Sequence, residues 1–277
     1  MGIHDIVSKA GGREKLIGYI NKVDKEDYIK NIKDGSELVL YSDMFENTGL
    51  GIRKIDISDL EEINQKASAM YISDRVYFNT DSEEIKSAGY SFQDIIKKNI
   101  DIVLIDFSKF IGGPESALII ATEEVIEKMK NNFISKILKP NKETNVLMYL
   151  VLKAYLDKRY NDIYINKCFL MNEEKLKEKN RRFMRNIERE MGDRVEMRSH
   201  PSKLFRISEN VGEKYCFDRD VIHVKPLNKT AAEVERELRL GETSILCWLD
   251  EDRLIFNLQL VKEEDENKVI DALSKKI

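Results

Sequence analysis

Cysteine and histidine are both scarce in this chain, 3 of each among 277 residues. Cys168, Cys216 and Cys247 are odd in number and far apart, so they form neither a zinc-ligand pattern nor a disulfide framework. They read as reduced thiols. His4, His200 and His223 are equally scattered, with no two at metal-ligand spacing, and each reads as a surface or satisfied histidine. Long apolar runs are missing too. Ile102–Ile105 and Ala117–Ala121 have the length of strands, well short of the roughly 18 residues that cross a bilayer. Met1–Lys9 carries no apolar signal region, so export is not expected and the cytoplasm is the expected location. Neither sign of charge dominates: 46 basic residues stand against 50 acidic ones, a net −4. Such a balance speaks for salt-laced helices and against a polyanion binder. There is no internal repeat and no low-complexity stretch.

What is present suffices for a buried core and one or two domains, since 42% of residues are hydrophobic. Up to Pro140, short apolar runs alternate with helical patterns. Leu38–Tyr41, Ala69–Ile72, Asp101–Asp106 and Ser116–Ala121 read as strands, and Leu16–Ile20 as an earlier one. Ser58–Glu61 is a capping box opening a helix toward Ala67, and Phe92–Lys98 and Thr122 onward are helical. Strands alternating with helices imply crossovers and a mostly parallel sheet. Asn141–Asp157 and Asn172–Met191 are long helices. The basic run Lys175–Arg189 within the second is interleaved with glutamates, which predicts a solvated helix and not a nucleic-acid patch. The tail differs in character. Leu204–Ser208 and Val221–Lys225 read as strands, and Thr230–Glu233 caps a helix that stops at Gly241. Ser244–Leu249 and Arg253–Leu258 flank the acidic turn Asp250–Asp252 as a hairpin, with Trp248 in the core, and Glu263–Lys275 closes as a helix. The expected organisation is a large α/β domain over 1–140, connecting helices over 141–193, and a small α+β domain over 194–277.

The chemistry concentrates in Ile105–Ala121. Lys109 follows directly on an apolar strand, and Gly112-Gly113-Pro114 then turns the chain into the next one. Ligands of open α/β sheets sit at the carboxyl ends of strands. An amine held at such an edge loses its proton readily and attacks an aldehyde. Glycines at 112 and 113 let the backbone pass close to a bound group without a Cβ in the way. A snorkelling lysine before an ordinary turn fits the same residues. Asp74 ends the strand that begins at Ala69, one strand-helix-strand step earlier. A carboxylate there can keep a pyridine nitrogen protonated, or simply cap the following turn.

The phrase Ser108-Lys109-Phe110-Ile111-Gly112-Gly113-Pro114, followed by Leu118–Ile120 and Glu124–Lys128, resembles a particular lysine segment. It is that of the selenocysteine synthase (L-seryl-tRNA(Sec) selenium transferase) family of fold-type-I pyridoxal-phosphate (PLP) enzymes, "Asp-Lys-Leu-Leu-Gly-Gly-Pro". Asn21–Gly49, Val234–Glu242, Arg253–Leu258 and Glu263–Glu266 resemble further parts of that family in order. The resemblance implies a fold-type-I α/β sheet with helices on both faces, lacking the family's first strands, plus a small C-terminal α+β domain. It implies PLP as cofactor, Lys109 as the Schiff-base lysine and Asp74 as the ring-nitrogen carboxylate. Ser108, Gly112, Gly113 and Arg75 are expected around the cofactor, and Arg206 at a substrate carboxylate through its bidentate fork. A homodimer or larger symmetric assembly follows from the resemblance as well.

Three departures accompany it. The family's glycine-containing phosphate loop is expected ahead of the region matched by Asn21, and Gly11-Gly12 reads as a loop rather than that cradle. The position three before the lysine, usually serine, is Asp106, with Ser108 as the possible substitute. The glycine-rich stretch early in the small domain and the tRNA-binding module are not seen. The expected function is therefore a PLP-dependent transferase or lyase acting on an amino-acid-like amine, with a separate polypeptide as one source of its front segment. The rival is a catalytically inactive shortened relative serving as a binding or assembly subunit. A nucleotide-binding α/β protein is disfavoured because no glycine fingerprint follows a first strand.

Overall fold

A computed structural model describes residues 3–18, 22–32, 38–43, 55–206 and 216–277, apart from the side chains of residues 3, 84, 88, 202–206 and 216–218. Two compact units emerge. Met1–Asn79 and Gly89–Lys153 build the first; Thr80–Ala88, Ala154–Glu209 and Glu213–Ile277 build the second.

The first unit begins with α1 (Ile3–Lys9), α2 (Lys25–Asn31), β1 (Val39–Ser42), α3 (Ile57–Asn64) and β2 (Ala69–Ser73). β3 (Val76–Tyr77) follows, then α4 (Glu83–Ala88), which groups with the second unit, β4 (Tyr90–Ser91), α5 (Phe92–Ile96) and β5 (Ile102–Asp106). β6 (Ala117–Ala121), α6 (Glu123–Asn131), α7 (Phe133–Ile137) and α8 (Lys142–Leu156), whose residues from Ala154 onward group with the second unit, complete it. The main sheet has the order β1-β2-β5-β6. β1, β2 and β5 run parallel, with Val39 opposite Ala69 and Met70 opposite Ile102. β2 and β5 are apolar on both faces, and Ala69, Tyr71 and Ile105 are fully buried, as crossover-connected strands require. β6 is antiparallel to β5. The segment joining them is too short for a crossover, so the chain turns back as a hairpin.

Two local expectations need correction. The cap of α3 is Asp56, not Ser58: its side chain accepts from Ser58 N, and Asp56 and Asp59 form the capping box. The earlier start puts Ile57, Leu60 and Ile63, all buried, along one face. The strand expected at Leu16–Ile20 is not formed at residues 16–18, where Leu16 is exposed; residues 19 and 20 lie outside the described part.

The second unit contains α9 (Tyr164–Phe169), α10 (Glu173–Met191), β7 (Val195–Arg206), β8 (Cys216–Pro226) and α11 (Ala231–Arg239). β9 (Trp248–Asp250), β10 (Arg253–Phe256) and α12 (Glu266–Ser274) follow. Its sheet is antiparallel, in the order β7-β8-β10-β9. Leu176, Phe183, Ile187 and Met191 recur at helical spacing along α10 and pack with Ile222 and Val224 of β8 and with Val234, Leu254 and Leu273. Thr230 and Glu233 make the expected capping box of α11. β9 is an edge strand, so Trp248 is 40% exposed and not part of the core.

The basic run of α10 is not wholly solvated either. Lys179 is buried; its Nζ donates to Leu258 O at 2.9 Å and to Val261 O, and lies 3.6 Å from the buried Glu266. Lys179→Met takes the donor from Val261 O and leaves Leu258 O with only the Val261 N–H, 3.2 Å away, while Glu266 keeps Arg182 at 2.9 Å. A loss of about 2–3 kcal/mol is expected by urea denaturation, against almost none for the exposed Lys175→Met.

Candidate active site

The carboxyl ends of β1, β2 and β5 lie side by side, because the three strands are parallel and adjacent. Each delivers an ionisable residue just past its last paired position: Asp43 after β1, Asp74 after β2, and Lys109 three residues beyond β5. Asp43 and Asp74 are buried; Lys109 is exposed.

Asp43 is the centre of a buried polar cluster. Its Oδ2 accepts from the Tyr71 hydroxyl at 2.6 Å and from Ser73 Oγ at 3.0 Å, and lies 3.1 Å from an Arg75 guanidinium nitrogen. Its Oδ1 has no hydrogen-bond partner among the described residues. Ser73 Oγ also accepts from the Arg75 backbone N–H at 3.1 Å, which fixes the turn carrying Asp74. The Arg75 guanidinium lies 5.7 Å from the centre of the Tyr90 ring. Burial, then the charge of Asp43, push the Tyr71 phenol well above its ordinary value, so it remains a donor. Gly89 is required here, because a Cβ at that position would stand 2.4 Å from Arg75 O.

The Lys109 loop is held from below. Phe107, Phe110 and Ile111 are fully buried, and Lys109 sits among them as the outward-pointing member. Asp106 Oδ1 accepts from Ser108 N at 2.7 Å and from Ser108 Oγ at 2.6 Å, a turn closed by a side chain. Gly112 N donates to Lys109 O at 3.0 Å, and Gly113 N to Phe107 O at 2.9 Å. Gly112 has φ +73, a conformation that favours glycine. A Cβ on Gly113 would fall 2.1 Å from the Phe107 ring.

The expected site residues separate on these grounds. Asp74 and Lys109 follow the carboxyl ends of neighbouring strands. Gly112 and Gly113 have local reasons to be glycine, in backbone conformation and in packing. Ser108, the expected stand-in for a phosphate-holding serine, has its hydroxyl committed to Asp106. Arg75, a candidate phosphate contact, is instead directed at Asp43. Arg206 ends β7, and its side chain lies outside the described residues. Asp43 and Tyr71 were not anticipated. The signal was there in the repeated Ser-Asp that ends both β1 (Ser42-Asp43) and β2 (Ser73-Asp74). Among the described residues no cluster of ligands could hold a metal ion, and no helix is long and apolar enough to cross a membrane.

Comparison with known proteins adds ancestry to this geometry. The family model for L-seryl-tRNA selenium transferase matches residues 1–262. The L-seryl-tRNA(Sec) selenium transferase of Aquifex aeolicus is 27% identical over 275 residues, covering 95% of this chain and 58% of that protein. The enzyme of that name from Clostridium botulinum (strain Loch Maree / Type A3) is 22% identical, covering 94% of this chain and 57% of its own length. The chain thus spans a little over half the length of these relatives. Among solved structures, a D-glucosaminate-6-phosphate ammonia-lyase superposes with a TM-score of 0.64 at 16% identity, over 99% of this chain and 66% of that one, which speaks for the fold alone. With the matched family model covering almost the whole chain, and the lysine and aspartate standing on adjacent strands of the expected sheet, this chain belongs to the L-seryl-tRNA selenium transferase family of fold-type-I PLP enzymes.

Proposed function

We propose that this chain binds PLP through Lys109 and serves a transferase or lyase reaction on an amino-acid-like amine. The observation that carries the reading is the placement of Lys109 and Asp74 past the carboxyl ends of adjacent parallel strands, one exposed and one buried.

The donor set fits the ring end of such a cofactor. An amine stands on one strand end and a buried carboxylate on the next. The orphan Oδ1 of Asp43 adds unused acceptor capacity on the third. PLP, when bound, supplies an electrophilic aldehyde and an electron-withdrawing ring. Lys109 would hold the cofactor through its Nζ, and the same amine would be suited to move a proton at the substrate carbon bearing the amine. Asp74 would keep the ring nitrogen protonated. Asp43, with Tyr71, Ser73 and Arg75, fixes the turn on which Asp74 stands. The phosphate is a different matter, since Ser108 and Arg75 are engaged elsewhere. We assign its grip to groups beyond the described residues. Arg206 remains the candidate for a substrate carboxylate.

The test is to add PLP to the purified chain, follow visible absorbance, reduce with borohydride and locate the label by peptide mass spectrometry. A visible band and a label on Lys109 are expected, with both lost in Lys109→Ala. Absence of a band, alone and with co-encoded partners, or a label spread over surface lysines, overturns the reading and favours a non-catalytic binding or assembly role.

A further inference from the structure

The three histidines are scattered in the sequence, yet the sheet of the second unit brings two of them together. Side chains opposite one another in an antiparallel sheet share a face. Arg198 of β7 stands opposite His223 of β8, and His223 opposite Ile255 of β10. His200 lies two positions along β7 from Arg198 and so projects from the same face. Its ring centre is 6.1 Å from that of His223. Met197, Ile222, Val224, Leu254 and Phe256 supply the other face, which packs into the core of the unit. His223 is only 5% exposed, and its Nδ1 has no hydrogen-bond partner among the described residues. A buried polar atom in that state costs about 1–3 kcal/mol and calls for a reason.

Charge supplies one. Lys225 is paired with Asp252 at 2.5 Å, and Arg253 lies 3.7 Å from both Glu196 and Asp252. Arg198 is exposed, and no carboxylate of the described residues pairs with it. Desolvation, then the charge of Arg198, hold the His223 imidazole below its ordinary value. His200 and Arg253 of β10 act in the same sense, and Asp250 of β9 opposes them. What this part of the face lacks is a negative charge within reach of the arginine and both imidazoles. A planar carboxylate is used up by the guanidinium fork, whereas a tetrahedral dianion keeps oxygens for the two rings. A metal cation would be repelled by the fixed charge of Arg198.

We propose that this face of the small sheet binds a phosphate-class oxyanion, such as a small phosphate monoester, between Arg198, His200 and His223. The three residues belong to the second unit, so this does not depend on the cofactor reading. Binding brings a proton onto His223, and affinity therefore rises as the pH falls. With only three histidines in the chain, the test reads their ring signals directly. The full chain, carrying 13C-labelled histidine, is titrated at fixed ionic strength with sulfate, which keeps its two charges across the range used. His200→Gln and His4→Gln assign the signals. Saturable shifts of His200 and His223 are expected, with His4 still; inorganic phosphate should reproduce them and acetate should not. Sulfate affinity should rise about tenfold between about pH 7.5 and about pH 5.5, and the His223 titration should move upward when sulfate is bound. Arg198→Gln, at an exposed position and with an unchanged circular dichroism spectrum, should weaken binding about tenfold. Shifts that do not saturate, or that include His4 equally, mean an adventitious ion only and overturn the proposal. Binding that Arg198→Gln leaves unchanged, that acetate matches, or that does not strengthen at acid pH overturns it as well.

Discussion

Arg75→Met is expected to lower the unfolding free energy by about 3–5 kcal/mol, the usual consequence of leaving one partner of a buried ion pair alone. Arg75 and Asp43 are both about 1% exposed at their side chains and 3.1 Å apart. Methionine matches the volume of the arginine stem but strands the Asp43 carboxylate, with only the Tyr71 and Ser73 hydroxyls to compensate. The cost is therefore electrostatic more than steric, and that distinction is measurable. Adding Asp43→Asn to Arg75→Met removes the stranded charge and should recover most of the loss, although Asp43→Asn alone is destabilising. Urea denaturation of the four proteins completes the cycle. A single mutant within about 1 kcal/mol of wild type would mean that the pair does not hold the β1 and β2 ends together.

Gly113→Ala is expected to be the more damaging for the site. The added Cβ would lie 2.1 Å from one Phe107 ring carbon and 2.4 Å from the next. Phe107 is fully buried and its backbone carbonyl accepts from Gly113 N, so neither partner has room to withdraw. Overpacking of this kind costs about 3 kcal/mol, at the upper end of its usual range. The strain falls on the same loop that presents Lys109. Borohydride labelling of Lys109 with PLP should fall below detection in this variant. Gly112→Ala is the internal control: φ is +73 there, which costs about 1–2 kcal/mol, so labelling should be weakened and not lost. Equal effects of the two alanines would show that packing under the loop is not what positions the lysine.

The sheet, its mostly parallel sense and the glycine turn after Lys109 were legible in the sequence, because apolar strands, glycines and helix caps act locally; the antiparallel return of β6 on β5 was not. Helix boundaries were less so where two capping patterns overlap. Asp-x-x-Asp at 56–59 prevailed over Ser-x-x-Glu at 58–61 because Ile57 is wanted in the core. Charge patterning also misled. Lys179 looks like its neighbours in α10, and only the carbonyls of Leu258 and Val261, distant in sequence, make it a buried residue. Trp248 failed in the opposite direction, since composition does not tell an edge strand from a central one. Asp43 was overlooked because an aspartate after a strand usually caps a turn. That it takes two hydroxyls and an arginine from the next strand is a fact of tertiary structure.

The reversal of β6 bears on the order in which the chain folds. β5 and β6 pair through a hairpin, with Asp106 opposite Ala117, whereas β1 reaches β2, and β2 reaches β5, only after a long excursion. Loop closure over a short separation is fast and loses little entropy. The hairpin that bears Lys109 is thus the part of this sheet able to form first. The acid ends of β1 and β2 would be recruited to it later. Pulsed hydrogen exchange during refolding should find the amides of β5 and β6 protected before those of β1.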